Sequence, residues 1–496
     1  MKLGALLQEI PHTLVSGDPN TQIRGIAYDS RRVQEGFLFV AIEGMRDDGH
    51  RYLGEAARKG AACLVAQKDG AFPAGGAAVR VLVPESRAAL ARISAAFYHD
   101  PSSTFRLIGV TGTNGKTSVC SLTKTILRSA GHKTGLLGTI ENTLDDEIIP
   151  ATHTTPESRD LQDMFGILAT KRADYCVMEV SSHALALERV TGSHFHAAVF
   201  TNLTQDHLDF HPDMDAYLEA KKTLFRMLSE ERGTASGSGP YAVINRDDPH
   251  SKDITRVTDC RIVTYGVERK SEYMARDIRM GLDGIRFSLV HPGGVLPIQL
   301  QMTGGFAVYN CLAAAAVALE EGVETGIIRK ALAETRVPGR FEPVREGQDF
   351  AVVVDYAHTP DSLLHAIRSA REVTGHRVIT VFGCGGDRDR TKRPLMGDIG
   401  TREGDYAIIT SDNPRSEDPS AILEEIVRGI RMPGALFEVI EDRRDAIRRG
   451  IELAGTGDLV LIAGKGHEDY QIIGERKYPF SDLLVAREAI RERMGT

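Results

Sequence analysis

Residues 106–131 read RLIGVTGTNGKTSVCSLTKTILRSAG, and the reading of this stretch decides the fold. An apolar run ends at Val110, a turn with two glycines follows, and helical periodicity starts at about Ser118. A strand that feeds a glycine-rich turn and then a helix gathers unpaired backbone N–H groups and the positive helix end at one point, which makes an anion site. Lys116 adds a full charge there, and Thr117 offers a hydroxyl suited to a magnesium ion. The common phosphate-loop spacing wants glycine where Val110 stands, so this loop is a variant.

Outward from the loop, strand and helix patterns alternate from Thr104 onward, through "KTGLLGTI", "ESRDLQDMFGILATKRA", "YCVMEVSS", "AAVFTNL" and "MDAYLEAKKTLFRMLSE". That alternation implies a parallel sheet covered by helices. Near 273–304 the pattern changes to two alternating stretches, "GIRFSLVH" and "LPIQLQM", split by "PGG", which predicts an antiparallel hairpin before two alanine-rich helices. Upstream, "IRGIAYDS", "GFLFVAI", "AACLVAQKD" and "VRVLVP" predict short strands, closed by a helix over 86–98 and the break "HDPSS". Downstream of the linker "VPGRFEPV", four apolar strands each end in a polar loop: "AVVVDYAHTP", "VITVFGCGGDRDR", "YAIITSDNPRSE" and "LVLIAGKGHED". Ligands of open parallel sheets bind beyond the carboxyl ends of the strands, so these loops should converge. The expected fold is α/β with three domains: a mixed α/β unit at 1–101, a central phosphate-loop parallel-sheet unit at 102–336, and a Rossmann-like unit at 337–496. The tract "GTASGSG" at 233–239 reads as a loop.

A chain of 496 residues with a formal charge of −8 and no long basic run is not built to coat nucleic acid. The six cysteines are dispersed among mostly apolar neighbours, without a CxxC pair, and read as reduced core residues. No apolar run approaches the roughly 18 residues of a membrane span. A cytoplasmic protein, without nucleic-acid or membrane partners, is expected.

Chemistry-bearing residues gather at strand ends. Glu179 closes "YCVME" and His207 follows "AAVFTNL", so a carboxylate, an imidazole and the Thr117 hydroxyl could hold a divalent metal beside phosphates, although a strand-end acid such as Glu179 can also be a plain cap. His207 and His211 have the i, i+4 spacing of a zinc pair, but no glutamate follows His207 and Pro212 ends the segment, which leaves zinc the weaker reading. Lys221 falls on or beside the apolar face of its helix while Lys222 should point to solvent; spacing alone leaves open whether Lys221 snorkels or is modified. In the last third, Arg388, Arg390, Arg415 and Lys465 bring positive charge, and Asp412 and Glu468 negative charge, to neighbouring strand ends. That mixture suits a zwitterion, with arginine forks for carboxylates and acids for ammonium groups.

Together with "DSRRVQEGFLFVAIEG", "HTTPES", "NLTQDHLDFH", "YLEAKKTLF" and "PGRFE", these stretches resemble the ATP-dependent Mur ligases of peptidoglycan synthesis along essentially the whole chain. The variant loop is that family's own form. The resemblance implies an ADP-forming ligase that joins meso-diaminopimelate to the D-glutamate of UDP-N-acetylmuramoyl-L-alanyl-D-glutamate through an acyl phosphate. It places ATP on Gly112, Thr113, Asn114, Gly115, Lys116, Thr117 and Ser118, with Asn310, Arg340, Asp355 and His358 lining the nucleotide site. It gives one Mg²⁺ to Thr117 and Glu179, and a second to His207 and to Lys221 carrying a carbamate (N6-carboxylysine). Ser30, Thr154, Thr155, Ser181 and Arg189 match precursor-binding positions; Arg388, Asp412, Asn413, Pro414, Arg415, Gly464 and Glu468 match the amino-acid pocket, whose "DNPR" form goes with meso-diaminopimelate. Lys116, Glu179, His207 and Lys221 are the expected catalytic set, the protein is expected to be a monomer, and "VPGRFEPV" is the expected hinge of domain closure.

Three alternatives compete with that reading. A lysine-adding or folylpolyglutamate-type ligase would lack "DNPR" and the "DSRRVQEG" segment, a phosphate-loop kinase would need no amino-acid pocket, and a nucleotide switch would ignore small acceptors.

Overall fold

The computed structural model describes residues 1–44, 47–151, 153–230, 239–281 and 284–495. Three main sheets follow one another along the chain. The tract at 233–239 falls, up to 238, outside the described residues.

In the first sheet, Gly25–Ala27, Phe37–Val40, Cys63–Ala66 and Val79–Leu82 run parallel, and Thr13–Ser16 pairs antiparallel with Val79–Leu82 at the edge. That edge strand is exposed along its whole length, so it carries no alternating apolar signature and the sequence pattern passes over it. The helix Ser86–Phe97 covers one face.

The central sheet has eleven strands, with Arg106–Thr111 in its middle between Phe195–Phe200 and Tyr175–Glu179, both parallel to it. These strands are almost wholly buried, which is why they read as continuous apolar runs: helices cover both faces of a parallel sheet. Lys116–Ser129 packs on one face together with Gly305–Glu320, whose alanines lie fully buried. Met214–Glu230 covers the other face. Each flank ends in an antiparallel meander. The expected pair Gly284–His291 and Gly294–Leu300 gains a third strand, Tyr273–Gly281, and the opposite flank adds Glu141–Leu144 and Glu147–Pro150.

The third sheet has the order Glu342–Val344, Ala351–Asp355, Leu459–Ala463, Val378–Phe382, Tyr406–Ile409 and Phe437–Val439. Only Glu342–Val344 is antiparallel. The four apolar strands expected from the sequence are its four central members, and their carboxyl ends face the central sheet's phosphate loop. A short hairpin, Tyr470–Ile473 with Arg476–Pro479, stands beside those ends. All six cysteines are free thiols, five of them buried. Among the described residues no helix is long and apolar enough to cross a membrane.

Candidate active site

The phosphate loop takes its shape from two glycines. Gly112 has φ 149°, and a side chain there would meet Thr201 Oγ1 at 1.8 Å; Gly115 has φ 87°, and a side chain there would meet Asn310 Oδ1 at 2.4 Å. Asn202 Oδ1 accepts from Asn114 N at 2.9 Å and Thr201 Oγ1 donates to Asn114 O at 2.6 Å, so the strand end at 200 braces the loop from behind. Lys116 Nζ donates to Gly112 O and Thr113 O, both at 2.8 Å, folded back over its own loop. Burial holds its ammonium below the usual lysine range, against the pull of Glu179 and Asp206.

Thr117 Oγ1 donates to Glu179 Oε2 at 3.0 Å, so the hydroxyl that opens one helix meets the carboxylate that closes the strand beside Arg106–Thr111. Thr139 donates to the same carboxylate twice, from its N at 2.8 Å and its Oγ1 at 3.1 Å. Thr155 Oγ1 donates to Glu179 O at 2.9 Å and accepts from Ser181 N at 3.1 Å, while Arg189 Nη1 donates to Thr155 O at 3.1 Å. Four of the expected precursor positions, Thr154, Thr155, Ser181 and Arg189, therefore lie in one connected patch next to Glu179. Ser30 does not reach the cleft; its hydroxyl donates to Glu55 Oε2 at 3.2 Å within the first sheet's domain.

Beside the loop stands an aromatic cluster. His183 stacks on Phe210 with ring centres 4.2 Å apart and meets His207 edge-on at 4.7 Å. His207 holds a left-handed backbone (φ 57°), the kind of strain that clusters at functional sites. Lys221 is 1% exposed, its Nζ lies 4.3 Å over the Tyr217 ring, and it makes no ion pair among the described residues. Burial, reinforced by Lys116, drives its amine far below the usual lysine range. His211 is buried, and its Nε2 has no hydrogen-bond partner among the described residues.

The facing wall belongs to the third sheet. Arg340 Nη2 donates to Thr117 Oγ1 at 3.1 Å and its guanidinium lies 4.5 Å over the Tyr356 ring. Asp355 accepts from Phe341 N at 2.7 Å and Ala357 N at 2.9 Å. His358 Nδ1 lies 2.8 Å from Tyr356 O, and burial together with Lys392 lowers its imidazole to about 4. Asn114 Nδ2 donates to Asp361 Oδ2 at 3.0 Å, a direct bond from the phosphate loop to the opposite domain.

Farther along that wall, Asn413 Nδ2 donates to Glu468 Oε2 at 2.9 Å, and Lys465 Nζ donates to Glu468 Oε2 at 2.9 Å and Asn413 Oδ1 at 3.1 Å. Arg415 Nη1 donates to Gly386 O at 2.8 Å and has no acidic partner among the described residues; burial, then Arg388, lowers its guanidinium. Arg388 is also without an acidic partner among the described residues. Two expected cations do not serve here. Arg390 turns outward onto Glu425, and Lys465 is fully buried and neutralised by Glu468.

A cleft of about 1200 Å³ joins these walls. The phosphate loop, Glu179, His207, Lys221, Asn310, Arg340, Asp355, His358, Arg388 and Glu468 line it, whereas Asp412, Asn413, Pro414, Arg415 and Gly464 are not among its lining residues, Asn413 reaching it through its bond to Glu468. Sequence reasoning missed Thr139, His183 and Asp361. Thr139 follows a strand end, a positional signal that could have found it; His183 and Asp361 had none, since their partners are distant in sequence.

Family models match in chain order: the Mur ligase family catalytic domain at residues 22–98, the Mur ligase middle domain at 110–318, and the Mur ligase glutamate ligase domain at 339–466. A UDP-N-acetylmuramoyl-L-alanyl-D-glutamate–2,6-diaminopimelate ligase of Syntrophomonas wolfei is 46% identical over 496 residues, covering 100% of both chains. The solved structure of an enzyme of the same description superposes with a TM-score of 0.69 at 31% identity, again over 100% of both chains. A Thermotoga maritima MurF ligase solved with ADP has a TM-score of 0.64 at 19% identity, covering 96% of this chain and 99% of that one, which shows the shared fold. With family models in chain order and full-length relatives at this identity, the chain belongs to the Mur ligase family.

Proposed function

We propose that this chain is the ATP-dependent ligase that joins meso-diaminopimelate to the D-glutamate side chain of UDP-N-acetylmuramoyl-L-alanyl-D-glutamate, acting as a monomer in the cytoplasm. The observation that carries the reading is a cleft in which the loop of Lys116 faces a wall bearing Arg388 and Glu468, with Arg415 nearby lacking an acidic partner among the described residues. We assign the precursor's UDP end to 1–101, with Ser30, ATP to 102–336 and the amino acid to 337–496.

The chemistry follows from what each group has to do. A carboxylate is a poor electrophile, so its oxygen attacks the γ-phosphorus of ATP, ADP leaves, and an acyl phosphate forms. The amine of diaminopimelate then attacks the acyl carbon, the bond to phosphate oxygen breaks, and the amine's proton leaves to a base in the cleft. Lys116 turns from the carbonyls of Gly112 and Thr113 to the phosphates, where it offsets charge that grows during transfer. Ser181 and Arg189 hold the dipeptide so that its carboxylate lies in line.

Among the described residues no three histidine, cysteine or acidic side chains are grouped to hold a metal by themselves, so any divalent ion also draws on other oxygens, those of Thr117 and of the phosphates. Thr117 and Glu179 fit Mg²⁺, which prefers oxygen. His207 and Lys221 fit a second ion once Lys221 carries a carbamate, formed when the deprotonated amine bonds the carbon of carbon dioxide, a C=O π pair moves to oxygen and the nitrogen gives up a proton to solvent. Bound Mg²⁺ would neutralise phosphate charge during transfer.

Diaminopimelate differs from lysine by a distal carboxylate, which an arginine fork grips in two hydrogen bonds. With lysine bound, Arg415 would stay half-buried and unpaired, and sites of that kind reject the lesser analogue by up to about 10⁴-fold. The test is phosphate release and product mass with the UDP-linked dipeptide and meso-diaminopimelate, lysine or glutamate offered in turn. A lysine adduct formed in preference would refute the pocket assignment, and ADP accumulating over an unlengthened dipeptide would refute the ligase reading. Closure about 337–344 should compact the protein in solution scattering when nucleotide and precursor are added.

A further inference from the structure

The hairpin at 470–479 lies outside every motif singled out in the sequence, yet it holds the amino-acid pocket by the backbone. Arg415 has φ 53°, a left-handed conformation that L side chains rarely adopt. Both of its main-chain polar groups are taken by the hairpin: Arg415 N donates to Ile472 O at 3.1 Å, and Gly474 N donates to Arg415 O at 2.7 Å. Ile472 N donates to Asn413 Oδ1 at 2.9 Å, and Gln471 Nε2 donates to Asp412 O at 2.7 Å. Four hydrogen bonds thus tie one short hairpin to three pocket positions, Asp412, Asn413 and Arg415.

We infer that this hairpin is the specificity element of the amino-acid site: Gln471 and Gly474 are positioning residues that hold Arg415 in its left-handed backbone, so that its guanidinium points at the ligand's distal carboxylate. The inference rests on the diaminopimelate reading above. Released from the hairpin, Arg415 relaxes to a commoner backbone region and its side chain swings away from the pocket. Lysine has no distal carboxylate, so its use does not depend on where the guanidinium points.

Gly474 allows a clean test. It has φ 60°, and a side chain there would meet nothing within 4 Å, so a substitution acts only through the backbone of the turn. Gly434, with φ 76° and equally open surroundings in another loop of the domain, is the control. Steady-state constants are measured for wild type, Gly474→Val, Gln471→Ala and Gly434→Val with meso-diaminopimelate and with lysine, alongside thermal unfolding. Gly474→Val and Gln471→Ala should lower kcat/KM for diaminopimelate about tenfold while lysine use, and KM for ATP and precursor, stay put; Gly434→Val should match wild type. Folded variants with the wild-type preference overturn the inference, as does an equal fall for both amino acids or a rise in KM for the precursor. A wild-type enzyme that does not prefer diaminopimelate overturns the specificity reading beneath it instead.

Discussion

The two ends of the central sheet treat buried charge in opposite ways. At the starting ends of its strands, the Glu321 carboxylate is 1% exposed and saturated: Oε1 accepts from Tyr241 at 2.7 Å and lies 3.1 Å from His196 Nε2, while Oε2 accepts from Tyr175 at 3.0 Å and Arg106 at 2.5 Å. Arg106, Tyr175, His196 and Tyr241 sit at or next to the first residue of four neighbouring strands. At the finishing ends of the same strands lie Lys221 without an acid, and His211 Nε2 and Arg340 Nε without hydrogen-bond partners among the described residues. Buried polar groups are normally paired, so the saturated end is built for stability and the unsaturated end is shaped for something that arrives later.

That contrast can be broken experimentally. Lys116→Met should lower kcat about 10³-fold, as loss of a charge that meets the transition state does, and leave the unfolding midpoint unchanged or slightly raised. A variant of near-normal rate would remove the reason to treat this end as chemical. Glu321→Gln should do the reverse, costing about 3 kcal/mol in denaturant unfolding by leaving Arg106 and His196 without their acid, while kcat stays near wild type. If activity fell with stability, the two ends would not be separable.

Acid sharpens the comparison. Burial would raise the Glu321 carboxyl, but hydrogen bonds from His196 and Tyr241 and the charge of Arg106 bring it down from 4.5 to about 2. A group whose folded value is depressed stabilises above its unfolded value and loses that stability as pH falls towards the folded one. The difference in unfolding midpoint between wild type and Glu321→Gln should therefore be flat near neutrality and shrink as pH drops from 4.5 towards 2. Tyr241→Phe, which removes one of the four donors, should cost about 1 kcal/mol. A loss as large as that of Glu321→Gln would mean that the carboxylate is less evenly shared than the geometry indicates.

The unsaturated end was far more legible in the sequence than the saturated one. Lys116 and Thr117 announce themselves because phosphate binding needs glycine, lysine and a hydroxyl within a few consecutive residues, and Glu179 because a lone acid closing an apolar strand is conspicuous. Glu321 gave no such signal: its partners at 106, 175, 196 and 241 look like ordinary strand-opening residues, and only the parallel stacking of four strands aligns them. The same reason hid the hairpin at 470–479, whose two strands are short and mostly exposed, and the edge strands at 141–150, where half-polar composition blurs the alternation.

What the chain's order alone determined was local: strand, loop and helix at 106–131, the buried alanine-rich helix at 305–320, and four strands ending in polar loops, each set by hydrophobic period and turn chemistry within about a dozen residues. What only the tertiary structure decided was which charges are free. Lys465 was drawn under its loop and spent on Glu468, Arg390 turned outward to Glu425, and Arg388 and Arg415 were left without an acidic partner among the described residues. Charge pairing depends on distances of a few ångströms between groups far apart in sequence, and such distances exist only once the sheets have packed.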